Sequence, residues 1–193
     1  MMLDSKDFNR MDKLALEFLS NYELYSFPLD IFKIATDILN VKIIYYSTLS
    51  AKQLEFIKSK DPLDKGYTVV ERLSNGSKRY IIYINDSNCL ARQRYTLAHE
   101  IKHILCGDIE FNEDEEILAD YFAKVLLAPK CVILENHYLS IDDLMSQFGL
   151  SEEASINYLN SLSHRMYFYD YDLFDFEREY VNNYYKFNKI KKN

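Results

Sequence analysis

Apolar positions along the chain recur at helix spacing in some stretches and at strand spacing in others. "DFNRMDKLALEFLSNY" places its apolar residues three and four apart and predicts a first helix. "FPLDIFKIATDILNVKIIYYS" predicts a second helix after Pro28, running directly into a β-branched and aromatic strand around Val41 to Tyr46. "YTVVERLSNGSKRYIIYIN" predicts two strands joined around Asn75-Gly76, a dipeptide that favours hairpins because both residues tolerate positive φ. Asp86, Ser87 and Asn88 then offer N-caps for a helix that runs to Cys106 and stops at Gly107. "FNEDEEILADYFAKVLLAP" predicts a helix capped at Asn112 and ended before Pro129, and "SIDDLMSQFGLSEEASINYLNSL" a helix, a turn at Gly149 and a second helix. Strands followed by a run of helices make the expected class α+β. The expected organisation is a core over residues 1–130 and a helical extension over 131–193, with no sharp boundary between them.

Composition narrows the function. At 193 residues, 48% hydrophobic and 27% charged, the chain has enough apolar surface for a globular core. A net charge of −7 argues against a nucleic-acid binder, because affinity for phosphate comes mainly from clustered Lys and Arg. No apolar run reaches bilayer-spanning length, and "MMLDSKDFNR" is too charged for a signal peptide, so the expected location is the cytoplasm. Cys89, Cys106 and Cys131 suit free thiols in a reducing compartment.

The candidate chemistry lies in "RYTLAHEIKHILCGD", where His99, Glu100 and His103 read H-E-x-x-H. At about 100° per residue, His99 and His103 project from one side of their helix a single turn apart, so both imidazoles can reach one ion. Leu97, Ile101, Ile104 and Leu105 project from the opposite side. Glu100 sits beside the histidine face, where a carboxylate can take a proton from water without occupying the coordination sphere. A catalytic zinc needs a third protein ligand. Cys106 shares the histidine face but sits at the helix end, and Glu115 is accounted for by a capping box with Asn112. Glu116 is the favoured ligand, because Ala119, Asp120 and Ala123 share its face and the two alanines allow close helix packing. Asp120, one turn on, is placed to accept the second ring N–H of a ligand histidine.

These residues resemble the ImmA/IrrE family of bacterial metallopeptidases. The resemblance rests on "ARQRYTLAHEIKH", followed by "EILADYFA" and "LLAP", with further similarity in "PLDIFKIATDILNVKIIY" and "IYIND". It implies a small zincin-like domain in which a sheet of three or so strands packs on the HExxH helix. It also implies Zn2+ held by His99, His103 and Glu116, Glu100 as general base and Asp120 in support. Two positions depart from the family pattern: Lys102 replaces the usual Gly before the second histidine and is expected near the rim of the metal face, and Leu118 stands where relatives are often acidic. The implied activity is hydrolysis of a peptide bond in a protein substrate, a helix-turn-helix repressor of a phage or mobile element, by water that zinc acidifies and Glu100 deprotonates. His137, Tyr138 and His164 are weak candidates for stabilising the oxyanion.

The exposed edge expected at Tyr80 to Tyr83 suggests that an extended substrate binds there by strand addition. Two other readings stay open. One is a helix-turn-helix DNA-binding regulator built on "LMSQFGLSEEASINYLNSL", although Glu152 and Glu153 would face phosphates at the start of its second helix. The other is a metal-binding regulatory protein without proteolysis. The aromatic tail from Tyr167 to Phe187 is expected to fold back onto the domain.

Overall fold

Three short runs rich in β-branched and aromatic residues form one mixed sheet: β1 (Lys42–Tyr45), β2 (Tyr67–Arg72) and β3 (Lys78–Ile84), in the order β1-β3-β2. The computed structural model describes residues 3–60, 66–107, 112–166 and 172–190. They divide into two compact units, one of Asp30–Ala123 and the other of the residues up to Leu29 together with those from Lys124 onward. The fold is α+β.

The sheet belongs to the first unit. β3 lies at its centre, parallel to β1 and antiparallel to β2, so that Ile82 sits opposite both Ile43 and Thr68. Ile81 and Ile82 are consecutive and both buried, as befits a strand covered on both faces. This arrangement overturns the expected free edge at Tyr80 to Tyr83. The parallel partner β1 comes from a distant part of the sequence, where hairpin chemistry gives no sign of it, and it occupies the side of β3 that a two-stranded hairpin would leave open. The turn is also wider than Asn75-Gly76 alone. Leu73 N–H donates to the Ser77 carbonyl and Gly76 N–H to the Leu73 carbonyl, which leaves three residues in the loop with Gly76 at φ 82°.

Before the sheet, α2 (Ile31–Lys33) continues as a π-helical stretch over Ile34–Ile38, and α3 (Ala51–Lys60) lies between β1 and β2. After the sheet, α4 (Leu90–Cys106) packs on β3 and α2 and ends at Gly107, whose φ of 73° is the left-handed conformation a glycine supplies at a helix C-terminus. Its N-terminus differs from expectation. Cys89 is the N-cap and makes no side-chain cap bond, while Asp86 and Ser87, two of the expected caps, bond elsewhere. The Asp86 carboxylate accepts from Ser47 N–H at 3.0 Å and from the Ser47 hydroxyl, and Asn85 accepts from Ser87. α5 (Glu113–Leu127) follows, capped by Asn112, which accepts from Asp114 and Glu115 N–H.

The second unit is helical. It contains α1 (Ser5–Asn21), α6 (Lys130–Glu135), α7 (Ile141–Phe148), α8 (Glu152–Met166) and α9 (Asp175–Ile190). α9 packs on α1 and α6, burying Tyr180 and Val181, and Tyr25 stands against the Tyr180 and Phe187 rings at centroid separations of 5.3 and 5.7 Å. The part of the aromatic tail in α9 thus packs on helices of its own unit, while residues 167–171 lie outside the described residues. α7, a turn at Gly149 and α8 follow one another as expected. Among the described residues, no helix is long and apolar enough to cross a membrane.

One buried ionic group ties three of these helices together. Lys130 Nζ lies 2.9 Å from Asp12 Oδ2 and 3.3 Å from Glu177 Oε1, with all three side chains nearly inaccessible. Removing the lysine would take the cation from two buried carboxylates, of which Glu177 also accepts Phe174 N–H at 2.9 Å. Lys130→Met is therefore expected to destabilise the fold by about 3–5 kcal/mol, the usual cost of breaking a buried ion pair from one side. Denaturant titration checks this, and a loss below about 1 kcal/mol would mean that solvent or other groups already satisfy the acids.

Candidate metal centre

α4 is apolar where it meets the sheet and polar on its other side, yet both sides are covered: every residue from Thr96 to Ile104 is buried. Polar groups so placed must find partners within the protein, and the partners come from α5 and β2. His99 Nδ1 is 2.8 Å from Asp120 Oδ1, which fixes the ring and turns Nε2 the other way. The two Nε2 atoms of His99 and His103 lie 3.3 Å apart. Glu116 faces both, with Oε2 3.4 Å from His99 Nε2 and Oε1 3.4 Å from His103 Nε2. Tyr95, one turn before His99, donates its hydroxyl to the Asp120 carbonyl at 3.0 Å and so holds α5 against α4.

His99, His103 and Glu116 thus form a triplet of donor atoms all within 4.8 Å of one another, an arrangement that can hold a metal ion. The separations support this. A tetrahedral ion with bonds of about 2.0–2.1 Å has ligand–ligand edges of roughly 3.3–3.4 Å. With His99 donating from Nδ1 to Asp120, its Nε2 is an acceptor, and acceptors aimed at a carboxylate require a cation between them, whether a proton or a metal. Electrostatics reflect the same demand. Burial alone would depress the His99 pKa, but the bonds to Asp120 and Glu116 and the charge of Glu100 outweigh it and raise the value to about 9. The imidazoles of His103 and His99 hold the Glu116 carboxyl well below the usual range.

Glu100 stands apart from the triplet. It is buried, and its Oε2 accepts the Thr68 hydroxyl from β2. Burial raises its pKa, with His99 and the Thr68 bond opposing. Gly66, just before β2, runs across it at φ 104°. A Cβ there would come within 2.6 Å of Thr96 Cγ2 and 3.0 Å of Glu100 Oε1, so the close approach requires glycine. Sequence reasoning missed both neighbours of Glu100. An isolated glycine before a strand was a signal for close backbone approach, whereas nothing local marks Thr68.

Two expectations are corrected. Lys102 is not at a rim: it is fully buried, and its ammonium binds the Glu115 carboxylate. Glu115 accordingly does not complete a capping box, because a buried cation competes for its carboxylate more strongly than a solvated backbone N–H. The triplet includes none of the other candidates. Cys106 is exposed and outside the triplet. His137 and Tyr138 belong to the second unit, where Tyr138 packs edge-on against Phe148, and the His164 side chain lies outside the described residues. Leu118 is buried in the apolar core.

A small mixed sheet laid on a helix that displays two histidines one turn apart, opposite a carboxylate of the next helix, defines a zincin-like α+β domain. The family model of the IrrE N-terminal-like domain, peptidase family M78, matches residues 51–160, more than half of the chain. The chain belongs to this family, the ImmA/IrrE group that its motifs resemble. Among solved structures it is similar to a Mycobacterium tuberculosis transcriptional regulator, with 13% identity, a TM-score of 0.50 and coverage of 79% of this chain and 46% of that one. The chain spans less than half the length of that protein, and the likeness is one of fold. No curated protein matches.

Proposed function

We propose that the chain is a zinc-dependent endopeptidase of the ImmA/IrrE type that cleaves a protein substrate, a helix-turn-helix repressor of a phage or mobile element. The observation that carries the metal reading is the 3.3–3.4 Å spacing of His99 Nε2, His103 Nε2 and the Glu116 oxygens, which matches the edges of a tetrahedral site. His99, His103 and Glu116 would hold the ion, with Asp120 orienting His99. When bound, zinc supplies a Lewis acid that acidifies water and polarises a peptide carbonyl.

The remaining work falls to the chain's own groups. Glu100 accepts the proton of the attacking water and passes it to the departing amine. Burial favours the proton's residence on Glu100, and the Thr68 hydroxyl keeps the carboxylate in one orientation. With β3 enclosed in the sheet, β2 is the strand suited to pairing with an extended peptide, since it is an outer strand and its Thr68 already touches Glu100.

Metal analysis tests the centre. The purified protein reconstituted with zinc is expected to retain about one ion per chain, and His99→Ala to retain none while remaining folded. Cleavage of the candidate repressor should cease on chelation and return with zinc. Failure to recover a bound ion after zinc reconstitution would remove the hydrolase reading.

A further inference from the structure

The buried ammonium of Lys102 reaches across to the next helix. Lys102 lies between His99 and His103 in α4, and its Nζ makes two contacts with one residue of α5: the Glu115 carboxylate and, at 3.3 Å, the Glu115 main-chain carbonyl. That carbonyl belongs to the peptide unit whose nitrogen is Glu116's. Lys102 therefore grips the backbone immediately before the carboxylate that faces the histidines. Glu115 N–H is anchored in turn by Asn112 at 3.3 Å, and Glu116 N–H donates to the Asn112 carbonyl at 2.9 Å, so the first turn of α5 is held from both sides.

Charge makes the same point. A buried cation close to a divalent ion would repel it strongly in a medium of reduced dielectric. Glu115 neutralises that cation, and the first turn of α5 carries Glu113, Asp114 and Glu116 besides. The pair thus adds a rigid link between the helices without adding net charge to the centre.

Resting on the zinc reading above, we propose that Lys102 is a positioning residue: through its bonds to Glu115 it holds Glu116 at ligand distance from His99 and His103 before the ion arrives. Nothing in the H-E-x-x-H pattern requires this, because the pattern leaves the residue before the second histidine open.

Zinc affinity measured by competition with a chromophoric chelator, together with the visible absorption of the Co2+-loaded protein, tests the proposal without reference to cleavage. Lys102→Met keeps an unbranched side chain one atom shorter than lysine and removes the link. The expected result is a folded protein that binds zinc about 10- to 100-fold more weakly, the range seen when a residue supporting a ligand is lost, with a changed Co2+ band intensity. The pair Lys102→Met with Glu115→Met replaces the ions by apolar groups of similar bulk, an exchange that is often neutral for stability. It should show the same weakened binding. Should either variant, once folded, keep wild-type zinc affinity and Co2+ spectrum, or bind more tightly, the positioning role is overturned. If instead the wild-type protein shows no zinc binding that depends on His99, the metal reading itself fails, a result distinct from equal binding by wild type and variant.

Discussion

Glu100→Gln is expected to keep its zinc and lose peptide hydrolysis by about 10²–10⁴-fold, the range contributed by a positioned general base. The expectation follows from where Glu100 sits. It lies outside the donor triplet of His99, His103 and Glu116, so its neutralisation leaves that triplet unchanged. The amide is close in shape to the carboxylate, and its oxygen can still accept the Thr68 hydroxyl, so the buried site need not rearrange. An amide cannot take a proton from water at neutral pH. The measurement pairs zinc content with the rate at which the repressor substrate proposed above is cleaved. Retained regulatory function in a zinc-loaded Glu100→Gln protein would move the assignment to a metal-binding regulator without proteolysis.

Zinc affinity is expected to climb by about tenfold per pH unit between roughly pH 6.5 and 9, because one proton must leave His99 for each ion bound. Burial opposes that proton, but the bonds from Asp120 and Glu116 and the charge of Glu100 retain it until about pH 9. Glu116 is held ionised far below this window and adds no proton of its own. The metal-free fold should respond in the opposite sense. A histidine whose pKa is raised from 6.5 to about 9 contributes stability that is fully present below about pH 6.5 and is lost as pH rises through 9. The melting temperature of the metal-free protein should therefore fall across this window while the increment produced by zinc grows. Thermal melts at several pH values, with zinc and with chelator, measure both trends, and a zinc increment that shrinks with rising pH would show that His99 is not the group displaced.

Several parts of this molecule are legible in its sequence alone. The face shared by His99 and His103 follows from the helix period, which depends only on neighbours along the chain. The placement of Glu116 and Asp120 one turn apart is local in the same way, and the small residues Ala119 and Ala123 already pointed to a close helix contact. The end of α4 at Gly107 and the helical character of the aromatic stretch in α9 are equally short-range.

What tertiary structure alone decided lies between segments far apart in sequence. The position of β3 at the centre of the sheet depends on β1, some forty residues earlier, and no turn chemistry records that pairing. Asp86 and Glu115 look like capping residues by their local pattern, yet Ser47 and Lys102 take their carboxylates instead. Thr68 and Gly66 meet Glu100 only because β2 is laid over α4 at that point. Lys102 reads from sequence as a charge near the rim of the metal face, and is instead buried and bonded to Glu115 of α5. Periodicity and capping are energies of a few adjacent residues, whereas the choice among competing partners is made by burial, which exists only once the distant segments have met.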